Sequence, residues 1–343
     1  MTVPHHKAAS RVRTDDLKQA LQVALRDHFQ TACSITQFVR EVSKYSSSFV
    51  IEKLTVGLDS GVRLEVIFKN LGNPTLQDQH QITRPGFMSN PAREIDVYRR
   101  LLATDSMGTA RCLGSVCSLQ KQRFWLFLEK VNGLELYQHG DFEIWMEVAR
   151  WLARFHERFE NPEGGQASSV SLLTYNRDFY LAWPARAKVF LHDQPKSVVK
   201  NIAWINDHYE FVADRLAGLP VTLLHGDFNA SNIIVQLMAQ SLRICPVDWE
   251  MAALGPGLID LAALVSGNWS SDQRNSLAGA YFEEFGRGGR NLTDKPKFHE
   301  DLKYCQLHLA MQWLGWSQNW SPPVEHKRDW LQHAVALAKQ IGL

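Results

Sequence analysis

The sequence predicts an α+β protein with an N-terminal antiparallel sheet and helix, followed by a larger and mostly helical C-terminal region. Three segments, 35–42, 49–56 and 62–69, carry apolar residues at the spacing of strands. After residue 140, long segments carry apolar residues at the spacing of helices. The length of 343 residues suits two domains or one two-lobed unit with a substantial core.

The N-terminal region is predicted to begin with a helix over residues 14–29, which has acids in its first turn and apolar residues at helical spacing. The segment 57–61 contains two glycines and joins the second and third strands as a hairpin. Another helix is expected to begin at Asn90-Pro91, because proline is tolerated in a first turn. Residues 123–129 then form a further strand.

The C-terminal region is expected to follow a connecting segment over residues 130–140. The segment 161–169 contains proline and two glycines and is predicted to be a loop. The predicted helices of this region are 141–159, 272–285, 299–316 and 326–341. We therefore expect two domains, residues 1–128 and residues 129–343.

Composition limits the partners that the chain can have. Lys and Arg total 37 and Asp and Glu total 36, so no global field favours nucleic acid or an anionic membrane. No apolar segment resembles a secretory signal or a membrane span, and we expect a cytoplasmic protein with a small-molecule partner. Five cysteines without paired metal-ligand spacing indicate reduced thiols. The oligomeric state stays open.

The most informative pattern lies in the strand–loop–strand segment that begins at residue 221. Strands over 221–224 and 242–247 would bring Asp227, Asn232 and Asp248 together. Phosphoryl transfer to a hydroxyl needs a carboxylate that orients the hydroxyl and oxygen ligands that hold Mg²⁺. Asp227 is the candidate base, and an ordinary aspartate pKa of about 4 suffices because positioning matters more than early deprotonation. The alternative is a β-hairpin with polar turns.

Two motifs in this segment resemble a known family. His-Gly-Asp at 225–227 and Asp-Trp-Glu at 248–250 are similar to motifs of the aminoglycoside phosphotransferase and choline kinase family, small-molecule kinases with a protein-kinase-like fold. The resemblance is specific over residues 223–264 and weaker over most of the chain. It implies a two-lobed kinase-like fold, ATP or GTP as donor, and Mg²⁺ held by Asn232 and Asp248.

The same resemblance implies a lysine that binds the nucleotide phosphates. Lys69 ends the third predicted strand, and Glu94, four residues ahead of Tyr98, is its expected ion-pair partner. A lysine at this place is otherwise an ordinary solvated strand end.

The remaining nucleotide contacts are expected in two other segments. Ser46, Ser47 and Ser48 lie where protein kinases have a glycine-rich phosphate loop, and their hydroxyls and amides can donate to phosphate. A serine-rich hairpin is alternatively just a polar turn. The backbone near Glu129 and Val131 is expected to bind the base of the nucleotide.

The acceptor is expected to be a small hydroxylated molecule such as an aminoglycoside, sugar, amino alcohol or natural product. Trp313, Trp316 and Trp320 recur at helical spacing in the region where the family binds its acceptors. Such a stripe either packs in the core or presents a ring to a ligand.

Two functions from different classes follow. The first is an ATP- or GTP-dependent phosphotransferase acting on a small molecule. The second is a kinase-fold scaffold, or pseudokinase, that binds nucleotide without turnover, which the glycine-free phosphate loop favours. Phosphorylation of protein substrates is not expected, because no Ala-Pro-Glu anchor of an activation segment is present.

Overall fold

The computed structural model of the chain describes residues 12–43, 49–72, 85–103, 107–160, 170–287, 294–316 and 328–343. The chain divides into two units. The first contains the described residues up to 132, except for 85–89 and 107–108. Those two short segments belong to the second unit, together with the described residues from 133 onward.

The first unit contains a five-stranded antiparallel sheet. Its strands are β1 (Ile35–Val42), β2 (Ile51–Leu58), β3 (Arg63–Asn70), β4 (Cys112–Ser118) and β5 (Arg123–Glu129). Their order is β1-β2-β3-β5-β4, so β3 pairs with β2 and β5 at the centre of the sheet. The four predicted strands are confirmed to within two residues at each end. β4 was not predicted.

Helix α1 (Thr14–Phe29) coincides with the predicted helix and packs on this sheet, mainly on β4. Its residues Leu17, Leu21 and Leu25 are fully buried in one cluster with apolar residues of the strands. The close approach depends on Gly114 in β4, whose φ is +150° and where an added Cβ would collide with Ala24 of α1. Helix α1 can therefore pack this closely on β4 only because residue 114 has no side chain.

The helix expected at Asn90-Pro91 begins a few residues later than predicted. Asn90 instead forms a turn, in which its Oδ1 accepts a hydrogen bond from Ala92 N at 2.9 Å. Helix α2 (Arg93–Asp96) follows and continues directly as a π-helix, Val97–Leu101.

The second unit contains two small sheets. Its strands are β6 (Leu134–Glu135), β7 (Leu173–Thr174), β8 (Val221–Leu224), β9 (Ile233–Leu237), β10 (Leu242–Pro246) and β11 (Ala253–Pro256). One sheet has the order β10-β9-β6 and the other β7-β11-β8. In the first, β9 and β10 form an antiparallel hairpin in which Ile233 lies opposite Pro246. The strands predicted before Asp227 and before Asp248 are thus confirmed as β8 and β10.

Seven helices make up most of the described part of the second unit. They are α3 (Phe142–Arg158), α4 (Arg177–Phe190), α5 (Lys196–Ala217), α6 (Leu258–Leu264), α7 (Ser271–Arg287), α8 (Lys295–Trp316) and α9 (Trp330–Gln340). The four predicted long helices are confirmed as α3, α7, α8 and α9, with ends shifted by up to four residues. The expected α+β class, with an N-terminal sheet and a mostly helical remainder, is confirmed.

None of the helices in the described ranges is both long enough and apolar enough to cross a membrane.

Candidate functional site

The loop after β8 is held by the buried carboxylate of Asp260 near the start of α6. Asp260 accepts hydrogen bonds from His225 N at 2.7 Å and from Gly226 N at 2.9 Å. Gly226 has a φ of +80°, and a Cβ there would collide with the carbonyl oxygen of Met251. The His-Gly-Asp motif thus uses its glycine for a turn that another residue could not make without strain.

His225 connects this loop to the end of β10. Its Nδ1 accepts a hydrogen bond from Asp227 N at 3.3 Å, which leaves the proton on Nε2 to be donated to Val247 O at 2.9 Å. The ring also packs on Trp249, with centroids 4.6 Å apart. His225 is therefore engaged by the backbone on both sides and braces the loop.

Asp227 and Asn232 are brought together as the sequence predicts. The Nδ2 of Asn232 donates to Asp227 Oδ2 and to Asp227 O, both at 2.9 Å. Asn229, which the sequence analysis did not single out, donates to Asp227 Oδ1. The only available signal was its position two residues after the candidate base.

The pKa of Asp227 is raised to about 7, chiefly because burial disfavours the charged carboxylate. The nearby carboxylates of Asp248 and Glu250 raise it further, while the hydrogen bonds from Asn232 and Asn229 lower it. The pKa of Asp227 thus lies above the ordinary aspartate value of about 4 that would already suffice for the reaction. The sequence could not show that three acids lie close together in a partly dehydrated place.

Asp248 follows β10 with left-handed backbone angles, φ +67° and ψ +60°. The preceding residue, Val247, donates its N–H to Asn232 O at 2.8 Å. This hydrogen bond places the backbone of Asp248 close to that of Asn232. No group of three or more His, Cys, Asp and Glu side chains converges as a metal cage within the described residues. The donor set here is instead one carboxylate and one carboxamide, which suits Mg²⁺ because that ion retains water and phosphate oxygens among its ligands.

Lys69 and Glu94 form a buried ion pair within the first unit. Lys69 Nζ lies 2.7 Å from both Oε1 and Oε2 of Glu94, and the two residues are 4% and 1% exposed. Lys69 is the last but one residue of β3, where it lies opposite Ile51 of β2 and Leu126 of β5. The interpretation of Lys69 as a solvated strand end is therefore wrong.

The segment expected to bind the base lies at the end of β5. Glu129 N donates to Arg111 O at 2.9 Å, and the Glu129 carboxylate binds the Arg111 side chain. In contrast, the backbone N–H and C=O of Val131 form no hydrogen bond with any described residue. Ser46, Ser47 and Ser48 lie outside the described residues.

The tryptophans near the end of α8 pack against other rings. Trp316 stacks on Trp183 with centroids 5.8 Å apart and an interplanar angle of 2°, and Trp313 stacks on Trp330 at 5.6 Å. Trp320 lies outside the described residues. Both described members of the stripe are half-buried residues, and each stacks one ring face on another ring of the second unit.

Three buried polar atoms without partners lie on α4 and α8. Trp183 Nε1, Tyr180 OH and His308 Nε2 have no hydrogen-bond partner among the described residues. Unpaired buried polar atoms are costly, and they commonly mark a place for water or a ligand. The sequence analysis missed these residues, because α4, which carries two of them, was not predicted.

Known structures with the same fold include two groups of small-molecule kinases. A GDP complex of a point mutant of aminoglycoside 2'-phosphotransferase-IIIa is 12% identical, with a TM-score of 0.55 over 94% of this chain and 97% of that chain. A Plasmodium vivax ethanolamine kinase is 11% identical, with a TM-score of 0.54 over 97% of this chain and 89% of that chain. A choline/ethanolamine kinase family protein from Mesorhizobium loti is 16% identical, with a TM-score of 0.51 over 96% of this chain and 93% of that chain. These likenesses confirm the kinase-like fold.

Sequence comparison supplies the family itself. No curated protein matches the chain significantly. The model of the phosphotransferase enzyme family matches residues 81–298, which is more than half of the chain. This range includes Glu94, Asp227, Asn232 and Asp248 but not Lys69. The chain therefore belongs to the phosphotransferase enzyme family, the small-molecule kinases that the His-Gly-Asp and Asp-Trp-Glu motifs indicate.

Proposed function

We propose that this protein transfers the terminal phosphate of ATP or GTP to a hydroxyl of a small molecule, with Mg²⁺ as the metal ion. The observation that carries the proposal is the cluster of Asp227, Asn232 and Asp248 at the ends of β8, β9 and β10. These side chains provide one carboxylate to orient the acceptor and two oxygen donors for the metal.

Asp227 acts on the acceptor hydroxyl in this mechanism. Its carboxylate accepts a hydrogen bond from the hydroxyl, aligns the oxygen with the phosphorus and takes the proton as the new P–O bond forms. A pKa of about 7 makes Asp227 a better proton acceptor than an ordinary aspartate, although bound cations will lower it. Asn229 and Asn232 fix the orientation of the carboxylate by donating to its two oxygens.

Asn232 and Asp248 would hold Mg²⁺ through their side-chain oxygens. The ion, when bound, neutralises charge on the phosphate oxygens. The Asn232 amide donates through its nitrogen to Asp227, which leaves the oxygen of the same amide for the metal. The mutual repulsion of Asp227, Asp248 and Glu250 also favours a cation in this place.

The nucleotide half of the proposal rests on the first unit. Lys69, oriented by Glu94, would bind phosphate oxygens, and the hydroxyls of Ser46, Ser47 and Ser48 would assist. The unpaired backbone groups of Val131 would bind the base together with the carbonyl of Glu129.

We further assign residues 1–128 to nucleotide binding, and residues 129–343 to catalysis and acceptor binding. Related folds bind GDP in one aminoglycoside phosphotransferase and ADP in another, which supports a purine nucleotide as the donor.

The acceptor is proposed to lie near the rings of the second unit. One neighbour of similar fold binds kanamycin, and another is an ethanolamine kinase. In this chain the half-buried Trp316, which stacks on the fully buried Trp183, provides an aromatic ring, and Tyr180, Trp183 and His308 have unpaired buried polar atoms. This combination suits a small acceptor with both hydroxyl and apolar or cationic parts.

The test measures nucleoside diphosphate release with Mg²⁺ and either ATP or GTP across aminoglycosides, amino alcohols, sugars and nucleosides. We expect acceptor-dependent turnover in wild type and a loss of about 10²-fold or more in Asp227→Ala. The exposed Asp272→Ala is the matched control and should retain activity. Nucleotide binding without turnover for any acceptor would instead favour the scaffold.

A further inference from the structure

A cavity lies among helices α7, α8 and α9 of the second unit. Its volume is about 610 Å³. None of Asp227, Asn232 and Asp248 lines it. Five basic side chains do, namely Arg274 of α7, His299 and Lys303 of α8, Arg328 just before α9, and His333 of α9. We call this space the basic cavity.

The permanent charges of the basic cavity are not balanced. Arg274, Lys303 and Arg328 are cations, and among the described residues none of them forms an ion pair with a carboxylate. The one acid in the lining is Asp329, whose carboxylate accepts a hydrogen bond from Gln332 N at 2.8 Å as the N-cap of α9. Three cations against one carboxylate leave two positive charges in excess.

Burial and the crowding of these cations lower the pKa values of basic groups in the cavity. Burial and the charge of Arg274 lower the pKa of Arg328. Burial, Arg328 and Arg274 lower the pKa of His333 to about 4. Burial, Lys295 and Lys303 lower the pKa of His299. Both histidines are therefore neutral near pH 7 and can act as hydrogen-bonding groups beside the cations.

Arg328 is held in place before any ligand arrives. Its Nη2 donates to Gly267 O at 3.0 Å, and its guanidinium lies over the ring of Trp330, 5.5 Å from the centroid. Arg274 is only partly exposed and has no side-chain hydrogen-bond partner among the described residues. The fixed guanidinium of Arg328 and the unengaged guanidinium of Arg274 suit an anion with several acceptor oxygens, because a guanidinium can donate two parallel hydrogen bonds.

The inner wall of the basic cavity is apolar. Val265, Ala278, Leu302 and Leu337 line it, and each is nearly buried, with exposures of 1%, 2%, 5% and 4%. A ligand that fits both parts has an anionic head and a compact apolar body. Inorganic phosphate would satisfy the cations alone.

We infer that the basic cavity binds a small phosphate monoester with an apolar body, at a site separate from the phosphoryl-transfer residues. The two excess positive charges match a dianionic phosphate better than a singly charged carboxylate. Arg274 and Arg328 bind the phosphate oxygens, Lys303 and the neutral imidazoles add donors, and Leu302 and Leu337 cover the apolar body. This inference does not depend on the acceptor or the nucleotide of the proposed reaction.

The test titrates the full-length protein with phenyl phosphate, in EDTA and without nucleotide, and follows binding by calorimetry and ³¹P NMR. Inorganic phosphate lacks the apolar body, benzoate carries a single charge, and benzyl alcohol has no charge. We expect saturable binding of phenyl phosphate, weaker binding of benzoate and inorganic phosphate, and none of benzyl alcohol.

Variants locate the site. Arg274→Gln and Arg328→Gln should each weaken binding of phenyl phosphate about tenfold or more, because each removes hydrogen bonds to a charged group. Lys339→Gln removes one exposed charge from α9 outside the basic cavity and should change affinity by less than about twofold. Arg328→Lys should retain part of the affinity, since it keeps the charge.

Several outcomes would overturn the inference. They are the absence of saturable binding in wild type, unchanged affinity in Arg274→Gln, tighter binding of benzoate than of phenyl phosphate, and an equal loss in Lys339→Gln. Should Arg328→Gln fail to fold, Arg274→Gln decides alone, because the side chain of Arg274 makes no hydrogen bond to the described residues.

Discussion

The carboxylate of Asp227 lies close to those of Asp248 and Glu250, and burial together with these acids raises its pKa to about 7 from an ordinary value of 3.8. A folded protein that binds this proton more tightly than the unfolded chain becomes less stable as pH rises between these two values. In the metal-free protein, ionised Asp227 thus opposes folding, although the proposed reaction needs its carboxylate. Such a conflict is common at functional sites.

Asp227→Asn should therefore stabilise the metal-free protein while abolishing turnover. At pH 8 in EDTA, we expect the free energy of unfolding to increase by about 1–2 kcal/mol, because one of three neighbouring charges is gone. At pH 4 the variant and wild type should differ little. Urea unfolding at both pH values measures this, and equal or lower stability of Asp227→Asn at pH 8 would contradict it.

The ion pair of Lys69 and Glu94 leads to a different prediction, because both charges are buried. Either Lys69→Met or Glu94→Leu leaves one buried charge without its partner and should cost about 3 kcal/mol of unfolding free energy. The double variant should recover much of that loss and remain inactive.

A double-mutant cycle by urea unfolding measures this coupling. The exposed pair Lys130 and Glu65, 3.1 Å apart, is the matched control and should couple by about 0.5 kcal/mol. Additive losses at Lys69 and Glu94 would show that the pair is not coupled.

The residues of the site differed in how well the sequence revealed them. Asp227, Asn232 and Asp248 could be predicted because a short motif and a hairpin fix their spacing. The raised pKa of Asp227 and the hydrogen bond from Asn229 could not be predicted, because both depend on which groups the fold brings close together.

Among the elements, the loop that follows β8 and carries Asp227 depends on helix α6. Asp260 accepts two backbone N–H groups of the loop and also contacts His156 Nε2, 3.3 Å away. The helix therefore positions the loop through one buried carboxylate. Because Asp260 is only 1% exposed, water cannot replace a hydrogen bond that it loses.

Asp260→Asn should lower kcat more than it changes the KM for nucleotide. The amide offers one acceptor oxygen where the carboxylate offers two, so one loop N–H loses its partner at a cost of about 1–3 kcal/mol. We expect a fall in kcat of at least about tenfold. Asp272→Asn, in the exposed first turn of α7, is the control. A change confined to KM would contradict a positioning role.

Apart from α5, which was not predicted despite its regular pattern, elements with strong periodicity were predicted well and irregular ones were missed. α1 and β5 matched the sequence prediction residue for residue, because their apolar patterns are regular. α4 contains Pro184 within the helix and was not predicted. β4 contains Gly114, whose role is to admit α1, so its sequence reflects packing more than strand propensity.

For the whole molecule, buried histidine sets part of the acid stability. His308 is fully buried among rings of α4 and α5, and burial lowers its pKa to about 3 from 6.5. The unfolded chain binds this proton first, so the contribution of His308 to stability is complete above pH 6.5 and is lost as pH falls toward 3. This trend is opposite to that of Asp227.

His308→Leu should make the protein less sensitive to acid. We expect the slope of unfolding free energy against pH, between 4 and 6, to fall by about 1 kcal/mol per pH unit relative to wild type. The variant also loses the hydrogen bond between Tyr209 OH and Nδ1, so its stability at pH 7.5 serves as reference. An unchanged slope would show that His308 is protonated equally in both states.

The left-handed backbone at Asp248 restricts which side chains evolution can place there. Asparagine and aspartate tolerate such angles better than other residues that carry side chains. Glycine would relax the chain but remove the oxygen donor, and glutamate would keep the donor at a conformational penalty. The local geometry thus selects for aspartate or asparagine independently of any demand made by a metal ion.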